Sequence, residues 1–187
     1  MIFGIDFDNT IVNYDSVFRD VLKKENKIIN KSLISKKNIK NYFVKNNNIT
    51  EWRQLQSKVY SSYIHKANVN KEILKLMKFL DNKKIKFYIV SHKTLYPYTG
   101  KKINLHKLSK EWLRNNIFNK KNNFQKKYKY YFENSKESKI KKIKSLKITH
   151  FVDDLDEILN KLPNKIVKIK FNNLLKFKKI KNCFFTI

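Results

Sequence analysis

The chain has 187 residues, 41% of them hydrophobic, which is enough for one buried core with room for a single insertion. Its formal charge of +28 is carried by 43 basic residues, of which only Arg19, Arg53 and Arg114 are arginine. Gly4 and Gly100 are the only glycines and Cys183 the only cysteine, which excludes a phosphate-cradling P-loop, a glycine-rich dinucleotide turn and a disulfide framework.

The first predicted element is a strand over about residues 2 to 7, in which Ile2-Phe3-Gly4-Ile5 runs straight into Asp6-Phe7-Asp8-Asn9-Thr10. Side chains alternate along a strand and a following turn re-aims them, so Asp6 and Asp8 can converge on one small site. Aspartate is also a common turn residue, and a strand cap is the plain alternative. An EF-hand loop starting at Asp6 is excluded, because Ile11 and Val17 stand where glycine and glutamate are needed.

Val17, Phe18, Val21 and Leu22 then make a helical stripe, and Ile39 with Tyr42 and Phe43 marks a second short helix. Trp52, Leu55, Val59 and Tyr63 share the face of a third, with Thr50 as its N-cap. The spacing predicts a helical cap over residues 14–67, inserted into a core made from 1–13 and 68–187. Ile73, Leu74, Met77 and Leu80 mark the helix leading back into that core.

Ile85-Lys86-Phe87-Tyr88-Ile89-Val90 is the next strand and ends at Ser91. A loop holding Pro97 and Gly100 runs to Lys107, followed by a helix around Leu108 and Trp112. Asn115 to Lys129 is polar enough for a mobile loop, and Tyr128 to Phe132 alternates as a third strand. Ser135 stands as the N-cap of a helix with Ile140, Ile143 and Leu146 on one face, preceded by Lys136 and Lys139.

Ile148 to Val152 is the fourth strand and ends in Asp153-Asp154; Ile166 to Ile169 is the fifth, and Phe184 to Ile187 a short edge strand. Strands alternating with helices imply a parallel sheet covered on both faces. Ligands bind at the carboxyl ends of such strands, where Asp6, Ser91 and Asp153-Asp154 all fall. Carboxylates from separate strand ends make an oxygen-rich site suited to Mg²⁺.

This order resembles the haloacid dehalogenase (HAD) superfamily of phosphohydrolases. Its first motif, an apolar strand before Asp-x-Asp-x-Thr, is matched by Asp6, Asp8 and Thr10. Ser91 matches the second motif, a lysine near a helix start the third, and Phe151-Val152-Asp153-Asp154 the fourth. The matches span residues 2 to 156, and Ser91-His92-Lys93-Thr94, Pro97-Tyr98-Thr99-Gly100 and Trp112-Leu113 are similar to a small bacterial group of HAD-like hydrolases.

The resemblance implies a HAD-like Rossmannoid three-layer α/β sandwich with a small helical cap inserted after strand one. It further implies a Mg²⁺-dependent phosphatase in which Asp6 is the nucleophile and Asp8 the general acid and base. Mg²⁺ would bind Asp6, the backbone carbonyl of Asp8 and Asp154, with Asp153 behind them. Ser91 and a lysine, Lys136 ahead of Lys139, would hold the other phosphate oxygens. His92, next to Ser91, is a candidate substrate contact, whereas His65 and His106 read as surface or helix residues and His150 as packed. The histidine spacing and lone cysteine do not suit zinc.

The expected substrate is a small phosphorylated metabolite, with a nucleotide or a nucleic-acid 3′-phosphate as alternatives. A lysine-rich nucleic-acid-binding protein on an idle HAD scaffold is the non-enzymatic alternative. Lysines spread along the whole chain, with little arginine to supply planar bidentate contacts, do not point to specific nucleic-acid recognition. A first strand that starts at residue 2, the lone cysteine and the lack of a long apolar run predict a cytoplasmic protein without a membrane span.

Overall fold

The computed structural model describes residues 1–27, 35–124, 128–172 and 176–182. In chain order the strands are β1 (Ile2–Ile5), β2 (Val12–Asn13), β3 (Asn68–Val69), β4 (Lys86–His92), β5 (Tyr130–Glu133), β6 (His150–Asp153) and β7 (Val167–Lys170). The helices are α1 (Asp15–Lys24), α2 (Lys36–Lys45), α3 (Ile49–Tyr60), α4 (Lys71–Asn82), α5 (Leu105–Asn116), α6 (Lys136–Ser145), α7 (Asp156–Asn160) and α8 (Phe177–Asn182). Cys183 and the expected edge strand Phe184 to Ile187 lie outside the described residues.

Two compact units emerge: Met1–Val12, Val69–Lys93 and Asn115–Ile187 form the first, and Asn13–Asn68 with Thr94–Arg114 the second. The first is built on a parallel sheet in the order β5-β4-β1-β6-β7. β1 is central and its side chains from Phe3 to Ile5 are buried, as a strand covered on both faces requires. Its Ile5 stands opposite Ile89 of β4 and Val152 of β6, which brings three strand ends to one edge.

Gly4 pairs with Phe151, and a Cβ at Gly4 would come within 2.5 Å of the Phe151 ring. Only glycine allows that ring to lie across β1. Beside it, Ile140 and Ile143 of α6 and Ile158 and Leu159 of α7 pack with Val90 and Phe151 into one core cluster. The fold class expected from sequence, an α/β sandwich around a parallel sheet, is the one observed.

In the second unit the predicted stripe of α1 is wholly buried, and Phe18 stacks on Trp52 of α3 at 5.2 Å. Ile39 and Phe43 of α2 are buried, but Tyr42 is exposed. Asn48, not Thr50, caps α3: its side chain accepts from the Glu51 N–H at 3.4 Å, while Thr50 lies inside the first turn. Residues 94–114, assigned by sequence to the 68–187 segment, group with 13–68. The Trp112 indole donates to the Ala67 carbonyl at 3.2 Å and the Thr99 N–H to Ser57 Oγ at 3.1 Å, which ties that segment in place.

Candidate active site

Asp6 follows β1 directly, and its N–H donates to the Val152 carbonyl of β6 at 2.9 Å. The chain then turns sharply, with the Ile11 and Val12 N–H groups both donating to the Phe7 carbonyl at 3.0 Å. Asn9 adopts a left-handed backbone (φ 61°), a conformation that asparagine tolerates better than most residues. From there its amide donates to Asp154 Oδ2 at 3.2 Å, joining the turn after β1 to the end of β6.

β4 and the residue that follows it contribute two side chains of the same strand phase. Ser91 Oγ donates to Asp6 Oδ1 at 2.9 Å. Two residues later, Lys93 Nζ donates to both oxygens of Asp8, at 2.8 and 2.9 Å. The Lys93 N–H is bonded to the Glu133 carbonyl at 2.8 Å, and its ammonium lies 5.4 Å from the centre of the Phe7 ring. In sequence Lys93 stands only within the Ser91-His92-Lys93-Thr94 match, one lysine among many and without an expected role. The signal was its spacing: Ser91-x-Lys93 repeats the alternation of Asp6-x-Asp8 on the neighbouring strand.

The fourth element is α6, whose N-terminus carries the predicted Ser135 cap in a reciprocal pair with Ser138. Lys139 Nζ donates to Asp6 Oδ1 and to Asp153 Oδ2, both at 2.6 Å. Lys136, preferred on sequence, instead forms an ion pair with Glu157 and does not join the cluster. The reason lies in helix geometry. Side chains lean back toward the helix N-terminus, so a lysine nearly one turn in covers the helix start, where the strand ends lie. A lysine at the first position reaches past it.

Burial pushes the Asp6 carboxyl from its ordinary 3.8 up to about 7, against the pull of the Lys139 ammonium and with help from the negative charge of Asp153. Burial likewise raises Asp153, opposed by Lys139. Lys139 is raised: burial alone would lower it, but Asp6 and Asp153 outweigh that cost. The raised Asp6 and Asp153 reflect the cost of holding two carboxyls beside one ammonium out of water.

Asp6, Asp153 and Asp154 each bring a carboxylate oxygen within 4.8 Å of the others. A donor set made wholly of carboxylate oxygens fits a hard divalent cation such as Mg²⁺. Asp153 has other commitments, because its Oδ1 accepts from the Leu155 N–H at 2.9 Å while Oδ2 takes Lys139. Asp154 is partly exposed.

The remaining candidates fall around this cluster. Thr10 is fully buried, and its hydroxyl has no hydrogen-bond partner among the described residues. The His92 ring, half-buried, bonds to the Asn134 backbone; burial first, and then the Lys139 charge, lowers its pKa. His150 is packed as expected, stacked on Phe3 at 4.7 Å.

No family model and no curated protein matches the sequence. Among solved structures, a HAD-superfamily hydrolase from Ehrlichia chaffeensis aligns with a TM-score of 0.50 at 17% identity, over 97% of this chain and 94% of its own. The fold is HAD-like. A HAD family enzyme from Bacteroides thetaiotaomicron, solved with magnesium and inorganic phosphate, aligns over 96% of this chain and 98% of its own, at 11% identity and a TM-score of 0.47. On this HAD-like sheet Asp6, Ser91, Lys139 and Asp153 are directly bonded, Asp154 lies beside them, and Asp8 is held through Lys93. Among the described residues, no helix is long and apolar enough to cross a membrane.

Proposed function

We propose that the protein is a Mg²⁺-dependent phosphatase that hydrolyses a small phosphorylated metabolite through an aspartyl-phosphate. The observation that carries this reading is the way Asp6 is held. Its Oδ1 accepts from both Ser91 and Lys139, while Oδ2 accepts no hydrogen bond among the described residues. A carboxylate fixed by one oxygen presents the other for attack on phosphorus.

In the first step an Asp6 oxygen bonds to phosphorus as the bond from phosphorus to the substrate oxygen breaks. That leaving oxygen takes a proton from Asp8. Water then attacks the same phosphorus and gives a proton to Asp8, which releases inorganic phosphate and restores Asp6. Ser91 Oγ and Lys139 Nζ, which donate to Asp6 Oδ1, are the donors that would take the other oxygens of a phosphoryl group bound there. Charge stabilisation of this kind supplies most of the catalysis in phosphoryl transfer.

Asp6, Asp154 and the backbone carbonyl of Asp8 are the groups that would hold Mg²⁺, whose charge offsets the repulsion between phosphate and the acids. Asp153 supports from behind by orienting Lys139. The test is turnover of a panel of phosphate monoesters with Mg²⁺, against Asp6→Asn as control. Wild type should exceed the variant by at least ~10³-fold on its preferred substrate. Wild-type rates no better than those of Asp6→Asn across the panel reject the reading.

A further inference from the structure

We propose that Lys93 is the positioning residue for Asp8, and that it sets how well the protein handles substrates with poor leaving groups. The inference rests on the phosphatase reading above, which gives Asp8 the task of protonating the leaving oxygen.

Asp8 sits in the turn beyond β1, where a carboxylate without a partner could swing among rotamers. Lys93 removes that freedom by donating to both oxygens, at 2.8 and 2.9 Å. The lysine itself is fixed at both ends. Its backbone continues the pairing of β4 with β5 through Glu133, and its side chain, 2% exposed, passes over Phe7 to reach Asp8. Holding a long side chain and an ammonium out of water is costly unless a charged partner answers it.

Two parallel rungs result, Ser91 on Asp6 and Lys93 on Asp8, each two residues further along its strand end. The first rung orients the group that attacks phosphorus. The second orients the group that delivers the proton. In this role Lys93 acts through Asp8, the group it bonds, rather than on the substrate.

The experiment compares kcat/KM for 4-nitrophenyl phosphate, whose leaving phenolate needs little protonation, with that for a simple alkyl phosphate, which needs it fully. Lys93→Met should lower the alkyl value by about 10²-fold or more, the scale of general-acid catalysis, and the nitrophenyl value only a few-fold. Lys93→Arg, which can still donate to both oxygens, should recover part of the alkyl activity.

Because loss of the ammonium beside Asp8 could disturb folding, both members of the pair are also changed together. Asp8→Asn and Asp8→Asn/Lys93→Met should then show equal kcat/KM on 4-nitrophenyl phosphate. An equal loss on both substrates in Lys93→Met, or a further loss when Lys93→Met is added to Asp8→Asn, overturns the assignment while leaving the phosphatase reading intact. A wild type inert toward these two esters and across the phosphate-monoester panel rejects the phosphatase reading, and the role of Lys93 falls with it.

Discussion

Lys139 and Asp6, 133 residues apart in sequence, meet at 2.6 Å with side chains 2% and 5% exposed. Neither charge could be held there alone. Removing the Lys139 ammonium leaves Asp6 and Asp153 uncompensated, at a cost of roughly 3–5 kcal/mol, whereas neutralising Asp6 leaves Lys139 its partner Asp153. Lys139→Met should therefore destabilise the protein on that scale and abolish turnover. Lys136→Met, which loses only a surface partner, should leave stability essentially unchanged and activity within a few-fold. Urea unfolding and kcat/KM for the two variants check this, and the larger effect at Lys136 would reverse the assignment.

Asp6 also predicts a pH dependence. Its folded pKa, about 7, lies above its ordinary 3.8, so the folded protein binds this proton more tightly than the unfolded chain. The stability tied to protonated Asp6 is therefore fully present below about pH 4 and is lost as pH rises to about 7. At about 1.4 kcal/mol for each pH unit, the effect is at most about 4 kcal/mol. Without added metal, Asp6→Asn should melt higher than wild type at pH 8, and the gap should narrow at pH 5 and close only below about pH 4. A variant that melts lower at both pH values would contradict the burial argument.

The two motif-four acids should separate by readout. Asp154 is partly exposed and met by the Asn9 amide, whereas Asp153 is fully buried between Lys139 and the Leu155 N–H. Asp154→Ala should remove most of the Mg²⁺-induced rise in melting temperature while changing the metal-free value little. Asp153→Ala should lower the metal-free value sharply. Thermal melts with Mg²⁺ and with a chelator distinguish them.

Gly4 supports the site from beneath. Gly4→Ala would drive a methyl group against the Phe151 ring, which lies 5.4 Å from the Lys139 ammonium. Overpacking of this kind costs about 1–3 kcal/mol. Because the two residues touch, Gly4→Ala combined with Phe151→Leu should destabilise less than the sum of the single changes. Strict additivity in urea unfolding would show that the contact is not the source of the strain.

The acids were legible because strand ends announce themselves. Apolar runs of four to six residues followed by Asp6-x-Asp8, Ser91 or Asp153-Asp154 give both the parallel sheet and its carboxyl edge. The lysines were not legible in the same way. Lys136 and Lys139 both precede a buried face, and only the backward lean of helical side chains separates them. Lys93 was hidden by composition, since in so basic a chain no lysine stands out until a carboxylate faces it. The placement of residues 94–114 depends on contacts such as Trp112 to Ala67, which local periodicity does not encode.

The long separations within the cluster bear on when competence arises. Asp6 waits for a lysine 133 residues downstream, and Asn9 for an aspartate 145 downstream. β1 is made early, yet it becomes central only after β4 and β6 have flanked it. Until α6 and β6 dock, Asp6 remains a hydrated, ordinary carboxylate, and closing loops of that length costs entropy before any contact offsets it. The first appearance of turnover in a refolding experiment should therefore time the docking of α6 and β6, well after collapse has buried most of the apolar surface.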